Sequence, residues 1–299
     1  MSTVSPRAVV VTRPTEYEQL VARHGTREQA RFFLARSDRT LDALDARQQA
    51  RDSAVTRVLQ AVPPRWRRAR VDRGDLSRFV FGPEDVVCVV GQDGLVANVA
   101  KYLHGQPVIG FNPDRAANDG VLVRHAADAA DDLFAVVASG RARFERRTMV
   151  EARTGDGQRL VALNELFVGH ASHQSARYAL QFQGVEEAQS SSGLLFASGT
   201  GATGWARSVV RQRGSAPPLP TPEEPRGVFL VREAFPSVAT GTTLDAGSVA
   251  EGETLTLRSQ MDDRGTIFGD GIESDRIVLA WGMTVKLGVA RERLHLVAA

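Results

Sequence analysis

The apolar run Val86-Val87-Cys88-Val89-Val90 leads directly into the turn Gly91-Gln92-Asp93-Gly94, and a helical segment and a second apolar stretch at 107–111 follow. A strand, a glycine turn, a helix and a strand in this order form a βαβ unit, which requires a parallel sheet. The pattern therefore predicts an α/β domain in which residues 86–90 form a buried strand.

The turn after this strand contains a carboxylate between two glycines. In an open α/β sheet, ligands bind at the carboxyl ends of the strands. Glycines there let the backbone approach a phosphate, and the free N–H groups at a helix start attract an anion. Phosphate would repel the carboxylate of Asp93, so its presence in this turn indicates a chemical role, such as holding Mg²⁺ or accepting a proton. The turn therefore indicates a phosphate site.

Composition narrows the class of protein. The chain has 299 residues, which suggests two domains, and its 42% apolar and 24% charged residues are ordinary globular usage. The formal net charge of +2 gives no reason to expect nucleic acid as a partner. No apolar run approaches the roughly 20 residues of a membrane span, so we expect a cytoplasmic protein. The single cysteine, Cys88, is interpreted as a buried small hydrophobe.

The first 80 residues show helical signals. Thr26, with Glu28 nearby, could begin a helix, and apolar residues recur at helical spacing over 41–62 until Pro63-Pro64. An arginine-rich stretch follows over residues 65–73. We interpret it as a solvated face, and the alternative is a rim that attracts phosphate.

After about Ser139 the pattern changes to short apolar segments separated by turn residues, which predicts an all-β second domain. The segments are 159–163, 165–168, 178–182, 194–197, 228–231 and 254–257. We therefore predict an N-terminal Rossmann-like parallel α/β domain over 1–138, a C-terminal β-sandwich-like domain over 139–282, and a final segment, 283–299, that returns to the first domain.

A second glycine cluster, residues 199–204, matches G-x-G-x-x-G and follows the strand-like residues 194–198. This match makes a Rossmann dehydrogenase an alternative. A proline-rich loop at 214–225 stands where such a domain has its second strand, which argues against it. No G-x-x-x-x-G-K-[ST] motif is present, so the chain is not a P-loop protein.

Other signals are weaker. Asp156-Gly157 lies between two predicted strands and indicates a hairpin turn, whereas Asp270-Gly271 is ambiguous. His170 and His173 have a spacing that could bind metal on a helix, but no third ligand is near, and we interpret both as surface or hydrogen-bonded side chains.

Four motifs together resemble the NAD kinase family, and within it the branch that prefers NADH. The family has a Gly-Gly-Asp-Gly turn after a buried strand, then a Pro-Val-Leu-Gly-Val-Asn strand, an Asn-Glu pair, and a strand with a Gly/Thr/Ser-rich turn. Their counterparts here are Gly91-Gln92-Asp93-Gly94, residues 107–112, Asn164-Glu165 and residues 192–205. The agreement in order and spacing runs from about Asp85 to Arg207.

This chain departs from the family at four positions. Gln92 replaces the second glycine of the first motif, and Leu95 replaces the usual threonine. Trp205 replaces a tyrosine or a small residue. Ser192 replaces an aspartate found in many members, as it also does in the NADH-preferring branch. Loss of that carboxylate would change the binding of a positively charged nicotinamide relative to that of a neutral dihydronicotinamide.

The resemblance implies phosphoryl transfer from ATP, or another phosphate donor, to the 2′-hydroxyl of the adenosine ribose of NAD or NADH, with Mg²⁺ accompanying ATP. Asp93 would accept the hydroxyl proton or help to hold Mg²⁺. The other implied residues are the phosphate-binding Gly91, Gln92, Gly94 and Leu95, and the dinucleotide-binding Asn164, Glu165, Ser192, Thr200, Thr203, Gly204 and Trp205. No residue is assigned as a protein ligand of a metal.

The family resemblance also implies a homodimer or tetramer. The near-neutral charge and the lack of a long apolar run predict no nucleic acid or membrane partner. Two further alternatives remain open. One is a kinase of the same superfamily that acts on a nucleoside, sugar or lipid. The other is a non-catalytic dinucleotide sensor, in which Gln92 and Leu95 have disabled the phosphate site.

Overall fold

A computed structural model describes residues 5–35 and 40–298 of the chain. The chain divides into two compact units, one comprising Met1–Glu145 and His295–Ala299 and the other Arg146–Leu294. The two units have different architectures. No helix in the described part of the chain is both long enough and apolar enough to cross a bilayer.

The first unit is an α/β structure. Its helices and strands are β1 Arg7–Thr12, α1 Glu16–His24, α2 Arg27–Leu34, α3 Leu41–Ala61, β2 Arg67–Asp72, β3 Asp85–Val90, α4 Asp93–Ala100, β4 Pro107–Phe111 and α5 Ala130–Ala138. Short 3₁₀ helices at Arg73–Arg78 and Ala127–Ala129 complete it.

The strands of the first unit pair in the order β2-β1-β3-β4, and all of these pairs are parallel. A fifth strand joins at the edge, because His295 and Leu296 pair in parallel with Pro107 and Val108. Since β2 and β3 lie on opposite sides of β1, the strand order reverses at β1. This reversal defines a topological switch point, where open α/β sheets bind ligands outside the carboxyl ends of the strands.

The strands β1 and β3 are buried on both faces, as expected for a parallel sheet covered by helices. Val10, Val86 and Val90 pack in one core cluster with Val55 and Val58 of α3. Cys88 belongs to this cluster and is fully buried, and burial raises the pKa of its thiol. The interpretation of Cys88 as a packing residue is therefore confirmed.

Local signals account for the helix boundaries. Thr26 is the N-cap of α2, and its hydroxyl accepts a hydrogen bond from the amide of Gln29. The predicted helix over 41–62 is confirmed as α3, which ends at Ala61 just before Pro63-Pro64. Thr15 and Glu18 form a full capping box at the start of α1, a helix that was not among those predicted.

The second unit is built from strands and one short helix. Its elements are β5 Phe144–Thr154, β6 Arg159–Ala162, β7 Glu165–His170, β8 Ala176–Phe182, β9 Val185–Ser191, β10 Leu194–Ala197, α6 Trp205–Arg211, β11 Arg226–Val231, β12 Ala246–Ala250, β13 Leu255–Ser259, β14 Gly265–Gly269, β15 Ile272–Leu279 and β16 Thr284–Val297. The first residues of β5 and the last of β16 belong to the first unit.

Two antiparallel layers form the second unit. One has the order β12-β11-β10-β7-β14-β15, and the other is built from β9, β8, β13 and β16 with β5 and β6. Buried side chains from both layers, among them Tyr178, Phe196, Phe229 and Leu257, make one core cluster. The predicted fold class, a parallel α/β domain with a β-rich domain, is confirmed. The predicted hairpin at Asp156-Gly157 is also confirmed, because it connects β5 and β6.

Gly110 of β4 allows a close approach of two backbone segments. A Cβ on this residue would lie 2.1 Å from the carbonyl oxygen of Leu122 and 2.7 Å from the Cα of Val123. The chain after β4 can therefore fold back onto the strand only because residue 110 has no side chain. This places residues 121–123 beside the sheet.

We expect Gly110→Ala to lower the free energy of unfolding by about 1–3 kcal/mol, because the added methyl group collides with backbone that cannot rotate away. Gly94→Ala is the matched control: a Cβ there meets nothing within 4 Å, and alanine is favoured over glycine in a helix. Urea unfolding followed by circular dichroism measures both. Equal unfolding midpoints for Gly110→Ala and the unmodified protein would contradict the steric argument.

Candidate functional site

The turn after β3 leaves part of its backbone available to an anion. The amide of Gly91 donates to the carbonyl of Phe111 at 3.1 Å, and the amide of Leu95 donates to the carbonyl of Gln92 at 2.9 Å. Among the described residues, the amides of Gln92, Asp93 and Gly94 have no backbone acceptor. These three N–H groups, at the start of α4, remain for a phosphate.

Leu95 does not contribute to the surface of this turn. Its side chain is fully buried, and a Cβ on Gly91 would lie 3.3 Å from it. The amide of Gly91, predicted to contact phosphate, is therefore used within the fold, and Leu95, also predicted as phosphate-binding, has a buried side chain and an amide that is hydrogen-bonded to Gln92. The side chain of Leu95 instead packs in the interior beside Gly91.

The carboxylate of Asp93 accepts three backbone hydrogen bonds. The amide of Val121 donates to Oδ2 at 3.0 Å, and the amides of Leu122 and Val123 donate to Oδ1 at 2.8 and 3.0 Å. A carboxylate offers about four acceptor positions, so about one is left for another donor. Asp93 thus joins the turn after β3 to the chain after β4.

A cavity of about 520 Å³ opens at the carboxyl ends of the parallel strands in the first unit. Its wall includes Arg13 after β1, Arg73 after β2, Gly91 and Gln92 after β3, and Asp114 after β4. The helices α1 and α3 supply the rest, including Tyr17, Arg47 and Arg51. The cavity therefore lies at the switch point of the sheet, built from the loops that follow four successive strands.

The arginine-rich stretch of the sequence divides into two parts. Arg65, Arg67, Arg68 and Arg70 are exposed, and most of this segment is the edge strand β2. Arg73 is half-buried and lines the cavity. The interpretation as a solvated face is therefore right for most of the stretch, whereas Arg73 lines the cavity and the alternative of a phosphate-attracting rim stays a prediction for it.

In the second unit, Asn164 and Glu165 lie where β6 passes into β7. The carbonyl of Asn164 accepts a hydrogen bond from the amide of Ser198 at 2.9 Å. A Cβ on Gly201 would lie 2.2 Å from the same carbonyl oxygen. The Asn164-Glu165 pair and the glycine-rich turn after β10 are therefore in direct contact.

Asp270 holds the Asn164-Glu165 pair in place. Its carboxylate accepts hydrogen bonds from the amides of Leu163 at 2.9 Å and Asn164 at 2.7 Å. Its own amide donates to the carbonyl of Glu165 at 3.1 Å. Asp270 has a φ of 52°, a left-handed conformation that Asp tolerates better than most residues, in the turn between β14 and β15. From sequence alone this Asp-Gly pair is ambiguous, and no spacing signal connects it with residue 164.

The environment of Glu165 favours the protonated form of its carboxyl group. Burial raises the pKa of Glu165, and the negative charge of Asp270 raises it further, to about 7. Glu165 therefore changes its charge near neutral pH, where a carboxyl group in water is fully ionised. Such a group can accept hydrogen bonds in one state and donate one in the other.

The glycine-rich turn at 199–204 packs against its neighbours. A Cβ on Gly199 would lie 1.8 Å from the carbonyl oxygen of Thr221, which parallels the contact of Gly201 with Asn164. The preceding strand, β10, is antiparallel to both β7 and β11. Since the dinucleotide-dehydrogenase fingerprint needs a parallel βαβ unit, this arrangement excludes the dehydrogenase alternative.

The remaining predicted dinucleotide residues lie at both ends of β10. Thr200 is buried and Thr203 is exposed, and the hydroxyl of Thr203 donates to the carbonyl of Thr200 at 2.9 Å. Gly204 is exposed just before α6. Ser192 is exposed before β10, so the length of a four-residue strand, roughly 13 Å, separates it from the Thr200 turn.

Trp205 is half-buried and stacks on Phe167, with ring centroids 5.9 Å apart and ring planes within 14°. The guanidinium of Arg232 lies over the indole, 5.3 Å from its centroid. The carbonyl of Arg232 accepts the amide hydrogen of Ser192 at 2.8 Å. Packing within the protein therefore already uses much of the indole surface.

The two histidines of the sequence motif lie at and after the end of β7. His170 ends β7, is buried, and its Nδ1 accepts the amide hydrogen of Ser172 at 3.1 Å. In the parts of the chain that the structure describes, no group of three or more His, Cys, Asp or Glu lies together as a metal ion would need.

Comparisons with known proteins identify the fold. No protein-family model matches the sequence, and no curated protein matches it. The chain is similar to the crystal structure of yeast NADH kinase in complex with NADH, with 14% identity and a TM-score of 0.59. The alignment covers 99% of this chain and 84% of the yeast chain. The protein therefore has an NAD kinase-like fold.

The raised pKa of Glu165 makes stability depend on pH. Between the ordinary carboxyl pKa of 4.5 and about 7, the unfolded chain loses a proton that the folded chain keeps. The free energy of unfolding should therefore fall as pH rises through this window, by up to about 1.4 kcal/mol per pH unit. We expect Glu165→Gln to remove this slope, measured by urea unfolding from pH 4.5 to 8.

Glu273→Gln is the control for this experiment, because Glu273 is an exposed carboxylate on the edge strand β15. It should keep the pH slope of the unmodified protein. The same slope in Glu165→Gln as in Glu273→Gln would show that Glu165 is not the group responsible.

Proposed function

We propose that this protein is an NAD kinase-like phosphotransferase that moves a phosphoryl group from ATP, or another phosphate donor, to the 2′-hydroxyl of the adenosine ribose of NAD or NADH. The observation that supports this most is the contact of Asn164-Glu165 with the glycine-rich turn, since these two motifs are far apart in sequence. The NAD kinase-like fold supports it independently. Fold alone does not establish activity, so the proposal rests on the site.

In this proposal the first unit binds the donor. The N–H groups of Gln92 and Gly94, together with the start of α4, would contact donor phosphates. The backbone can approach a phosphate here because Gly94 has no side chain. Phosphoryl transfer needs mainly positioning and stabilisation of negative charge, and both can come from such groups.

The second unit would bind the dinucleotide. The Asn164 side chain and the ionised carboxylate of Glu165 would hydrogen-bond hydroxyls of the dinucleotide, since a carboxylate can accept two such bonds at once. Thr200, Thr203 and Gly204 would form the wall of the adenosine site, with Trp205 at its edge. Ser192, at the other end of β10, would contact the part of the dinucleotide farthest from this wall.

Asp93 would have two roles. Its three backbone hydrogen bonds hold residues 121–123, and the acceptor position that remains would orient the attacking hydroxyl or receive its proton. The new O–P bond forms as the bond to the leaving phosphate breaks, and the hydroxyl proton passes to Asp93 or to solvent.

Mg²⁺ would enter with the donor. The described residues contain no cluster of carboxylates that could cage the ion, and Mg²⁺ on a nucleotide is commonly held by the phosphates, water and one or two carboxylates. When bound, it would neutralise charge on the donor phosphates. The preference for NADH, the homodimer or tetramer and the cytoplasmic location remain predictions.

The test is an acceptor panel. The purified protein is incubated with Mg-ATP and, separately, NAD, NADH, nucleosides, sugars and lipids, and the products are identified by mass spectrometry and NMR. A product carrying a 2′-phosphate on the adenosine ribose supports the proposal. Phosphorylation of a different acceptor alone, or tight dinucleotide binding without any product, contradicts it and indicates a different kinase or a sensor.

We expect Asp93→Asn to lower turnover by about a hundredfold or more, because the charge of the proton acceptor is lost. The variant should also be less stable by about 1–3 kcal/mol, since an amide NH₂ cannot accept all three backbone hydrogen bonds. Dinucleotide affinity should stay within about tenfold, because the proposed dinucleotide residues belong to the other unit.

The control is Asp119→Asn, which removes an exposed carboxylate from the same region of the chain. It should retain turnover and stability. Full turnover in Asp93→Asn would remove Asp93 from the mechanism.

Glu165→Ala is expected to weaken dinucleotide binding by about tenfold to a hundredfold, as for the loss of hydrogen bonds to a charged acceptor. Glu165→Gln should weaken it less, because one acceptor oxygen remains. Isothermal titration with NAD and NADH at pH 8, where Glu165 is ionised, measures both. An unchanged dissociation constant in Glu165→Ala would show that this residue lies outside the dinucleotide site.

A further inference from the structure

The backbone just before the Asn164-Glu165 pair is held from two sides. The carboxylate of Asp270 accepts the amide hydrogens of Leu163 and Asn164, at 2.9 and 2.7 Å. On the carbonyl side, the amide of Ser198 donates to Asn164 at 2.9 Å, and the hydroxyl of Ser198 donates to Leu163. The amides and carbonyls of residues 163 and 164 all have partners, so this link between β6 and β7 has a defined conformation.

The two side chains of the pair, in contrast, are left for another molecule. Neither the Asn164 amide group nor the Glu165 carboxyl group has a hydrogen-bond partner within residues 5–35 and 40–298. Both residues are half-buried. A fixed backbone that carries two such polar side chains is preorganised for a ligand, because little of the binding free energy is then lost in ordering the site.

The turn that carries Asp270 accepts few residue types. Asp270 and Gly271 are the two residues between β14 and β15, and their φ angles are 52° and 69°. Positive φ at both positions is typical of a type I′ hairpin turn, which favours Asn or Asp followed by Gly. Asn can therefore replace Asp270 without a change of backbone conformation, which separates the charge of this residue from its role in the turn.

Asp270 also acts on the charge of Glu165. Burial raises the pKa of Glu165, and the negative charge of Asp270 raises it further, to about 7. The neighbouring strands β10 and β14 contain no charged residue, and Arg159 of β6 is paired with Glu151 and Glu292. The same carboxylate therefore fixes the backbone of the pair and shifts the ionisation of Glu165 to higher pH.

We propose that Asp270 is a positioning residue for the dinucleotide site, which holds the backbone of residues 163–165 so that Asn164 and Glu165 present their side chains to hydroxyls of the ligand. The inference rests on the proposed function, because it takes NAD or NADH as the ligand of the pair. Each oxygen of the Asp270 carboxylate accepts a backbone amide, so Asp270 acts through the pair and not on the dinucleotide.

The experiment measures the affinity of the full chain for NAD and NADH by isothermal titration. Asp270→Gly accepts the turn conformation but has no carboxylate, and it should weaken binding of the tighter dinucleotide by at least about tenfold at pH 8. Asp270→Asn should weaken binding less, because its one side-chain oxygen can still accept an amide hydrogen. Unchanged affinity in Asp270→Gly overturns the proposal.

The pH dependence separates positioning from a merely structural effect. At pH 8 Glu165 is mostly ionised with or without the charge of Asp270, so Asp270→Asn shows the loss of positioning alone. At pH 6 the same variant has a larger ionised fraction of Glu165 than the unmodified protein, because the charge that raises the pKa is gone. The loss of affinity should therefore be about threefold smaller at pH 6 than at pH 8. An equal loss at both pH values indicates a structural role only and overturns the proposal.

Asp156→Asn is the matched control. Asp156 also precedes a glycine in a hairpin turn, between β5 and β6, but its carboxylate accepts hydrogen bonds from Thr154 and Gln158 of the same turn. The substitution should leave dinucleotide affinity unchanged at both pH values. Equal losses in Asp156→Asn and Asp270→Asn would show that the effect does not come from the link between β6 and β7, and would overturn the proposal.

Hydrogen exchange tests the positioning step without a ligand. In Asp270→Gly the amides of Leu163 and Asn164 should exchange at least about tenfold faster than in the unmodified protein, because their acceptor is lost. The amide of Leu180, in the buried strand β8, should exchange as before and so reports that the variant is folded. Unchanged exchange at Leu163 and Asn164 overturns the proposal.

Failure of this inference and failure of the proposed function give different results. If NAD or NADH is phosphorylated and the Asp270 variants bind it as the unmodified protein does, the function stands and this inference fails. If the dinucleotide binds without being phosphorylated and the variants lose affinity as described, Asp270 keeps its role and the proposed phosphotransferase function fails. If the unmodified protein binds neither NAD nor NADH, both fail.

Discussion

The hydrogen bonds of Asp93 are the interaction on which the candidate site of the first unit depends. A single carboxylate accepts the amides of Val121, Leu122 and Val123, and so connects the turn after β3 to the chain after β4. The connection is possible only because Gly110 lets that chain approach β4. A charged group that satisfies three backbone donors is strongly held, so the turn has a defined position before any ligand binds.

The sequence predicted the structure best where a local residue pattern is also the pattern that the overall fold requires. The apolar run at 86–90, the glycine turn and the helix after it predicted the parallel sheet, because a strand buried on both faces needs a continuous apolar sequence. Short apolar segments separated by turn residues predicted the β-rich unit, because antiparallel strands are short and are joined by tight turns. The residues of the Asn164-Glu165 pair and of the turn at 199–204 could be selected from the sequence, although only the structure shows that they touch.

The rest could not be predicted because it depends on contacts between distant parts of the chain. Arg13 and Arg73 are 60 residues apart and meet because β1 and β2 are parallel neighbours whose carboxyl ends lie at the same edge. Asp270 reaches the amides of Leu163 and Asn164 through the pairing of β14 with β7. The use of the Gly91 and Leu95 amides within the fold likewise follows from the tertiary arrangement, and no local pattern reports it.

Both units contain charges placed where folding alone would not put them. In the first unit the positive charge of Arg73 acts on the half-buried Arg13, and in the second unit the negative charge of Asp270 acts on the half-buried Glu165. Each arrangement destabilises the empty protein, whereas ion pairs such as Arg7 with Asp85 show that the same fold can match its charges. Local rules of stability are broken most often at functional sites, because the missing partner is supplied by a ligand. Repulsion between like charges therefore makes Arg13 in the first unit and Glu165 in the second the places where a ligand of matching charge or hydrogen-bonding capacity would add most to stability.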